Sequence, residues 1–132
     1  MPELIINGGA VFQGANLAAA SVIVNGDSSI EVDITTTGDL GQNYTGAVEI
    51  SSNIHLNAYG ANPVVLGNAG ATGRISGNDY NLTITGSATL NGTDSNSDLG
   101  MLAINGSAIF NTAYIIAQSV NVTGDTTMDM GP

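Results

Sequence analysis

Asp94, Asn96 and Asp98 carry side-chain oxygens at every second residue of Asp94-Ser95-Asn96-Ser97-Asp98, the D-x-N-x-D opening of a calcium loop. The rest of that pattern is missing. Glycine comes one place late, at Gly100, and the twelfth position is Asn105, where a bidentate glutamate is wanted. A solvated acidic loop is expected here, with calcium as the one cofactor its chemistry allows. Acid–base catalysis needs paired carboxylates, and Glu31 and Glu49 are a pair that neighbouring elements could bring together. Arg74 is the sole strong cation to assist them, and His55 has neither metal co-ligands nor a reactive-serine signature around it. No enzyme is expected. Tyr44 and Tyr59 offer flat rings on which a sugar could stack, so they are the candidate ligand-facing residues, with a glycan as the ligand.

One Lys+Arg against 11 Asp+Glu gives the 132 residues a formal net charge of −10, which excludes the basic footprint needed for nucleic acid or an anionic membrane surface. Only 9% of residues are charged, so Gly, Asn, Ser and Thr supply the polarity, a composition that suits virion, extracellular or cell-surface material packed against other molecules. There is no cysteine for a disulfide or a thiolate site. Met1-Pro2-Glu3 leads straight into Leu4, so no secretory signal is expected in the chain as written, and no stretch approaches the ~18 apolar residues of a membrane helix.

These side chains must be positioned by a repeated unit. A nine-residue phrase recurs as LIINGGAVF (Leu4 to Phe12), VIVNGDSSI (Val22 to Ile30), VEISSNIHL (Val48 to Leu56), LTITGSATL (Leu82 to Leu90), LAINGSAIF (Leu102 to Phe110) and VNVTGDTTM (Val120 to Met128). Position three is Ile6, Val24, Ile50, Ile84, Ile104 and Val122, and position nine is Phe12, Ile30, Leu56, Leu90, Phe110 and Met128. Alternation of apolar with variable residues marks half-buried strands, and these twelve residues are the expected core ladders. Glycine or serine at position five marks a bend between two strands. Asn7, Asn25 and Asn105, with Thr85 and Thr123 in the same column of the phrase, are expected to stabilise that corner.

A third alternating strand follows, because Ala15, Leu17, Ala19 and Ser21 match Ala113, Ile115, Ala117 and Ser119. Phrase starts at residues 4 and 22, and again at 102 and 120, lie 18 apart, the circumference of a narrow three-sided coil. The expected fold is all-β: one parallel β-solenoid domain over residues 1–132, with about seven coils, a hidden coil at Val64 to Asn68, and protruding loops at Thr35 to Asn43 and Gly67 to Asp79. The alternative is an antiparallel sandwich or barrel, because Asn-Gly between alternating apolar residues is a strong hairpin signal.

The run from Asn81 to Gly92, NLTITGSATLNG, resembles the repeats of filamentous-haemagglutinin-type and autotransporter adhesins, which are parallel β-helices. Phage fibre, spike and capsid-decoration proteins use similar coils, as do bactofilins, which polymerise through coil ends. The resemblance implies the fold and transfers no residue role. The expected function is that of a non-enzymatic structural protein that assembles with copies of itself, as a homo-oligomer or lattice, or docks on a larger particle such as a virion fibre or an extracellular filament. The alternative is an adhesin or carbohydrate-binding module that presents the loops.

Overall fold

A computed structural model describes residues 3–38, 41–59, 64–67, 75–91, 99–110 and 117–128 of the chain. Short β-branched runs separated by glycine, asparagine and serine favour short strands with tight corners, and the described elements are all strands, two to seven residues long. The first coil holds β1 (Glu3–Ile6), β2 (Ala10–Phe12) and β3 (Leu17–Ala19). The second holds β4 (Ser21–Val24), β5 (Ser28–Ile30) and β6 (Ile34–Thr36), and the third β7 (Gln42–Tyr44), β8 (Val48–Ile50) and β9 (Ile54–Ala58). Next come β10 (Val64–Leu66), β11 (Ile75–Ser76) and β12 (Leu82–Thr85). The upper coils contribute β13 (Ala88–Leu90), β14 (Leu99–Asn105), β15 (Ala108–Phe110), β16 (Ala117–Val122) and β17 (Thr126–Met128).

The strands stack into three faces. The first runs β1-β4-β7-β10-β13-β15-β17, the second β2-β5-β8-β11, and the third β3-β6-β9-β12-β14-β16. Every neighbouring pair is parallel, so the protein is a parallel β-solenoid and the antiparallel sandwich is overturned. The chain leaves each Asn-Gly corner for the next face instead of folding back. Stacked partners on the first face are Leu4, Val22, Gln42, Val64, Ala88, Ala108 and Thr126. They lie 18, 20, 22, 24, 20 and 18 residues apart, so the circumference swells at mid-height while the strand register holds.

The six phrases do not form one set of columns. Those beginning at Leu4 and Val22 turn from the first face to the second, and that at Val48 turns from the second to the third. Those at Leu82, Leu102 and Val120 turn from the third to the first. Ile6 and Val24 therefore continue through Tyr44, Leu66, Leu90, Phe110 and Met128. Ile50 stacks with Phe12 and Ile30, whereas Ile84, Ile104 and Val122 extend the ladder of Leu17, Ile34 and Leu56. The physical reason is that the phrase encodes strand, corner of two or three residues and strand, and such corners occur on all three sides of the coil. Of the twelve ladder residues, Val24, Ile30, Ile50, Leu56, Ile84, Leu90 and Ile104 are wholly buried, as Phe12 and Phe110 nearly are, while Ile6 and Val122 are partly buried at the two edges.

Two loop expectations change. Thr35 to Asn43 is largely wall, because β6 and β7 occupy its ends and Thr36 and Gln42 point into the core; residues 39–40 lie outside the described residues. Between Gly67 and Asp79 the chain forms β11, with Ile75 buried, and residues 68–74 are outside the described residues. The hidden coil begins where expected, as β10.

One level of the interior is polar. Tyr44, far from facing a ligand, is wholly buried: its phenol donates to Gln42 Oε1 at 2.7 Å, and its ring meets Phe12 edge-on with centroids 6.4 Å apart. Gln42 Nε2 in turn donates to the carbonyls of Ile34, at 3.0 Å, and Asn57, at 3.2 Å. Burial raises the Tyr44 phenol above its ordinary ionisation range, because a phenolate would lose its hydration there. The unfolded chain ionises this group near pH ~10 while the folded chain keeps its proton, so the stabilisation is complete below that pH and declines above it. Urea unfolding between pH 9 and 11 should show wild-type stability falling more steeply than that of Tyr44→Phe, with a slope difference approaching ~1.4 kcal/mol per pH unit. At neutral pH the same variant loses about 1–3 kcal/mol because Gln42 Oε1 is left without its donor.

Candidate functional site

The outward residues of each face follow from the same alternation. On the second face Val11, Ser29, Glu49 and Ser76 stack in register and, with Asp27, line a shallow depression of about 330 Å³. Asp27 Oδ1 accepts the Ala47 amide at 3.0 Å, so this carboxylate is committed to the wall. The register sets Glu49 beside Ser29 and Ser76, two residues along from the level of Glu31, so the suggested carboxylate pair is not stacked. His55 and Glu49 are both exposed, on different faces. Among the described residues no group of three or more acidic or histidine side chains is placed to hold a metal ion. Asp94, Asn96, Asp98 and Arg74 lie outside the described residues.

Corner polar residues lock coil to coil. Asn25 Nδ2 donates to Asn7 Oδ1 at 2.8 Å, and Thr45, next in that column, donates its hydroxyl to the Val24 carbonyl at 3.1 Å. Asn105, Thr85 and Thr123 belong to a second column at another corner, where Thr85 pairs with Asn57 and Asn105 and where Asn57 Nδ2 reaches Thr35 Oγ1 at 3.4 Å. A further set escaped the sequence reading. Asn16, Asp33, Asn53 and Asn81 precede the third-face strands, and each accepts a backbone amide from the coil above: Asp33 at 3.1 Å, His55 at 2.8 Å, Asn81 at 2.9 Å and Met101 at 2.8 Å respectively. The signal was an Asx residue immediately before Leu17, Ile34, Ile54 and Leu82, visible only when the chain is aligned on its third strand.

These staples lie on a wall that ends, among the described residues, in two rims. β1, β2 and β3 each terminate their faces at one rim, and β16 and β17 do so at the other. A family model described as repeats of unknown function (DUF5649) matches residues 8–72. That span runs from the first corner through β10, and it agrees with a repeat architecture without assigning an activity. No curated protein and no solved structure matches the chain.

At the rims the ladders lose their cover. Leu4, Ile6 and Leu17 are only partly buried, and Val120 is 50% exposed, whereas Val22, Val24, Ile34 and Leu102 in the same columns are wholly buried. Tyr59 is 64% exposed at the end of β9, and Ile5 and Val11 are similarly open on the walls.

Proposed function

We propose that the protein is a non-enzymatic structural element that builds outward by docking coil on coil, with copies of itself or on a larger particle. The observation that supports this reading most is the pair of ends of the described stack, where the outermost strands have one described neighbour each and Leu4, Ile6, Val120 and Val122 are less buried than the inner members of their ladders. Unpaired parallel edges template further pairing unless they are covered, and stacked repeats gain stability from each neighbour they acquire. The finer setting that we infer from the resemblance to adhesin and phage coils is a virion fibre, a decoration protein or an extracellular filament. Negative-stain images of the purified chain are expected to show fibres or regular clusters, together with light scattering that grows with concentration. A monodisperse, concentration-independent monomer would overturn the reading.

The second reading, a carbohydrate-binding module, draws on exposed Tyr59. Retention of monodisperse chain on a glycan array, lost on Tyr59→Ala, would favour it over assembly.

A further inference from the structure

We propose a register for the joint between copies: β1 of a second copy lies on β16 of the first, and β2 on β17, so that the incoming coil is rotated by one face. This rests on the coil-docking reading above. The corners of the coil are interchangeable. Val120 to Met128 and Leu4 to Phe12 are the same phrase, the first ending the described stack at the corner between the third and first faces, the second beginning it at the corner between the first and second. Laying one on the other puts Leu4 on Val120, Ile6 on Val122 and Ala10 on Thr126. The half-covered Leu4, Ile6 and Val122 and the exposed Val120 thereby gain the neighbours that inner residues of their ladders already have.

Backbone polarity agrees. Where phrase stacks on phrase within the chain, the fourth residue of the upper copy donates to the third carbonyl of the lower, as Asn25 does to Ile6 at 2.8 Å and Thr123 to Ile104 at 3.0 Å. The seventh amide of the lower copy donates to the sixth carbonyl of the upper, as Ala10 does to Asp27 at 2.9 Å and Ala108 to Asp125 at 2.8 Å. Across the joint the same rule makes the Asn7 amide donate to Val122 and the Thr126 amide to Gly9. By the same rule those two carbonyls point away from the described coils, toward the joint.

The corner selects this rotation over the unrotated one. A Cβ on Gly106 would collide with the Gly86 carbonyl, and one on Gly124 would come within 2.7 Å of the Gly106 carbonyl, so the upper part of this column, above Ala58, leaves no room for a side chain. Gly8, with φ +145°, is the glycine set between two strands at the matching three-residue corner, and the space beside it is empty to 4 Å. An unrotated joint, β1 on β17, brings no such corner above Gly124. Like charges do not meet in the rotated joint, where Asp125 is the one charged residue of the two stacked phrases and lies against Gly9, although each copy carries a net charge of −10.

A chain without cysteine allows a clean test. In the full chain, Ile5→Cys is combined with Asn121→Cys, its neighbour in the rotated joint, or with Thr127→Cys, its neighbour in the unrotated one. A disulfide needs Cα atoms about 4.4–6.8 Å apart, which adjacent strands satisfy and a shifted register does not. On oxidation the first pair is expected to yield disulfide-linked multimers at least ten-fold above either single variant and above the second pair. Linking by the second pair alone, or by neither pair in material that still forms fibres, overturns the register and leaves coil docking standing. Absence of links together with a concentration-independent monomer removes both.

Discussion

Gly106→Ala is expected to lower stability by about 3 kcal/mol, the upper end of what overpacking costs, and to lower the melting temperature by roughly 10 °C. The methyl group has no side chain to push aside. It meets the carbonyl of Gly86, part of a corner already held at φ +110° and itself seated on the carbonyl of Ala58. Relief would require lifting the upper coils off the lower ones, which breaks the ladder hydrogen bonds of β12 with β14 and of β13 with β15. Gly9→Ala is the control, since its Cβ would lie 3.5 Å from the Asp27 carbonyl, an ordinary contact, and its effect should stay within about 0.5 kcal/mol. Equal melting curves for the two variants would show that the corners do not stack as tightly as described.

Ile84→Ala should be comparably severe, costing about 2–5 kcal/mol. Ile84 is wholly buried at mid-height of the third-face ladder, between Leu56 below and Ile104 above, and the rigid coil spacing keeps those neighbours from closing the void. Ile109→Ala removes the same atoms from an outward position of β15 that is 40% exposed, and it is expected to change stability by no more than about 0.5 kcal/mol. Urea titrations should therefore separate the two variants by midpoint with a common slope. A common midpoint would mean that the inward and outward faces of the strands have been exchanged.

The strands of the repeated phrase, their parallel stacking and their inward sides are legible because alternation reports burial directly, as in Leu82-Thr83-Ile84-Thr85, whereas β6, β7 and β11 fall where loops are expected. Which copies stack on which is not legible. Val48 to Leu56 reads like its five counterparts, yet it turns a corner that none of them turns, from the second face to the third, and only the summed lengths of the intervening corners determine that. Tyr44 and Gln42 misled for a related reason. Next to Asn43 and Thr45 they read as a polar loop, and their burial depends on partners at Ile34 and Asn57 that local sequence does not reveal. The Asx staples do not stand out in the nine-residue phrase, because alignment on its first strand scatters Asn16, Asp33, Asn53 and Asn81 among unrelated positions.

A wall made of interchangeable units invites mis-threading, since a chain wound one level out of step would still lay oily side chains against oily side chains nearly everywhere. The amide–phenol pair inside the third coil removes that freedom. Shifted by one storey, Gln42 would take the place of Val22 or Val64, away from the two carbonyls it now bridges, and each stranded polar group would cost about 1–3 kcal/mol. The least hydrophobic storey of the interior is thus the one from which all the others are counted.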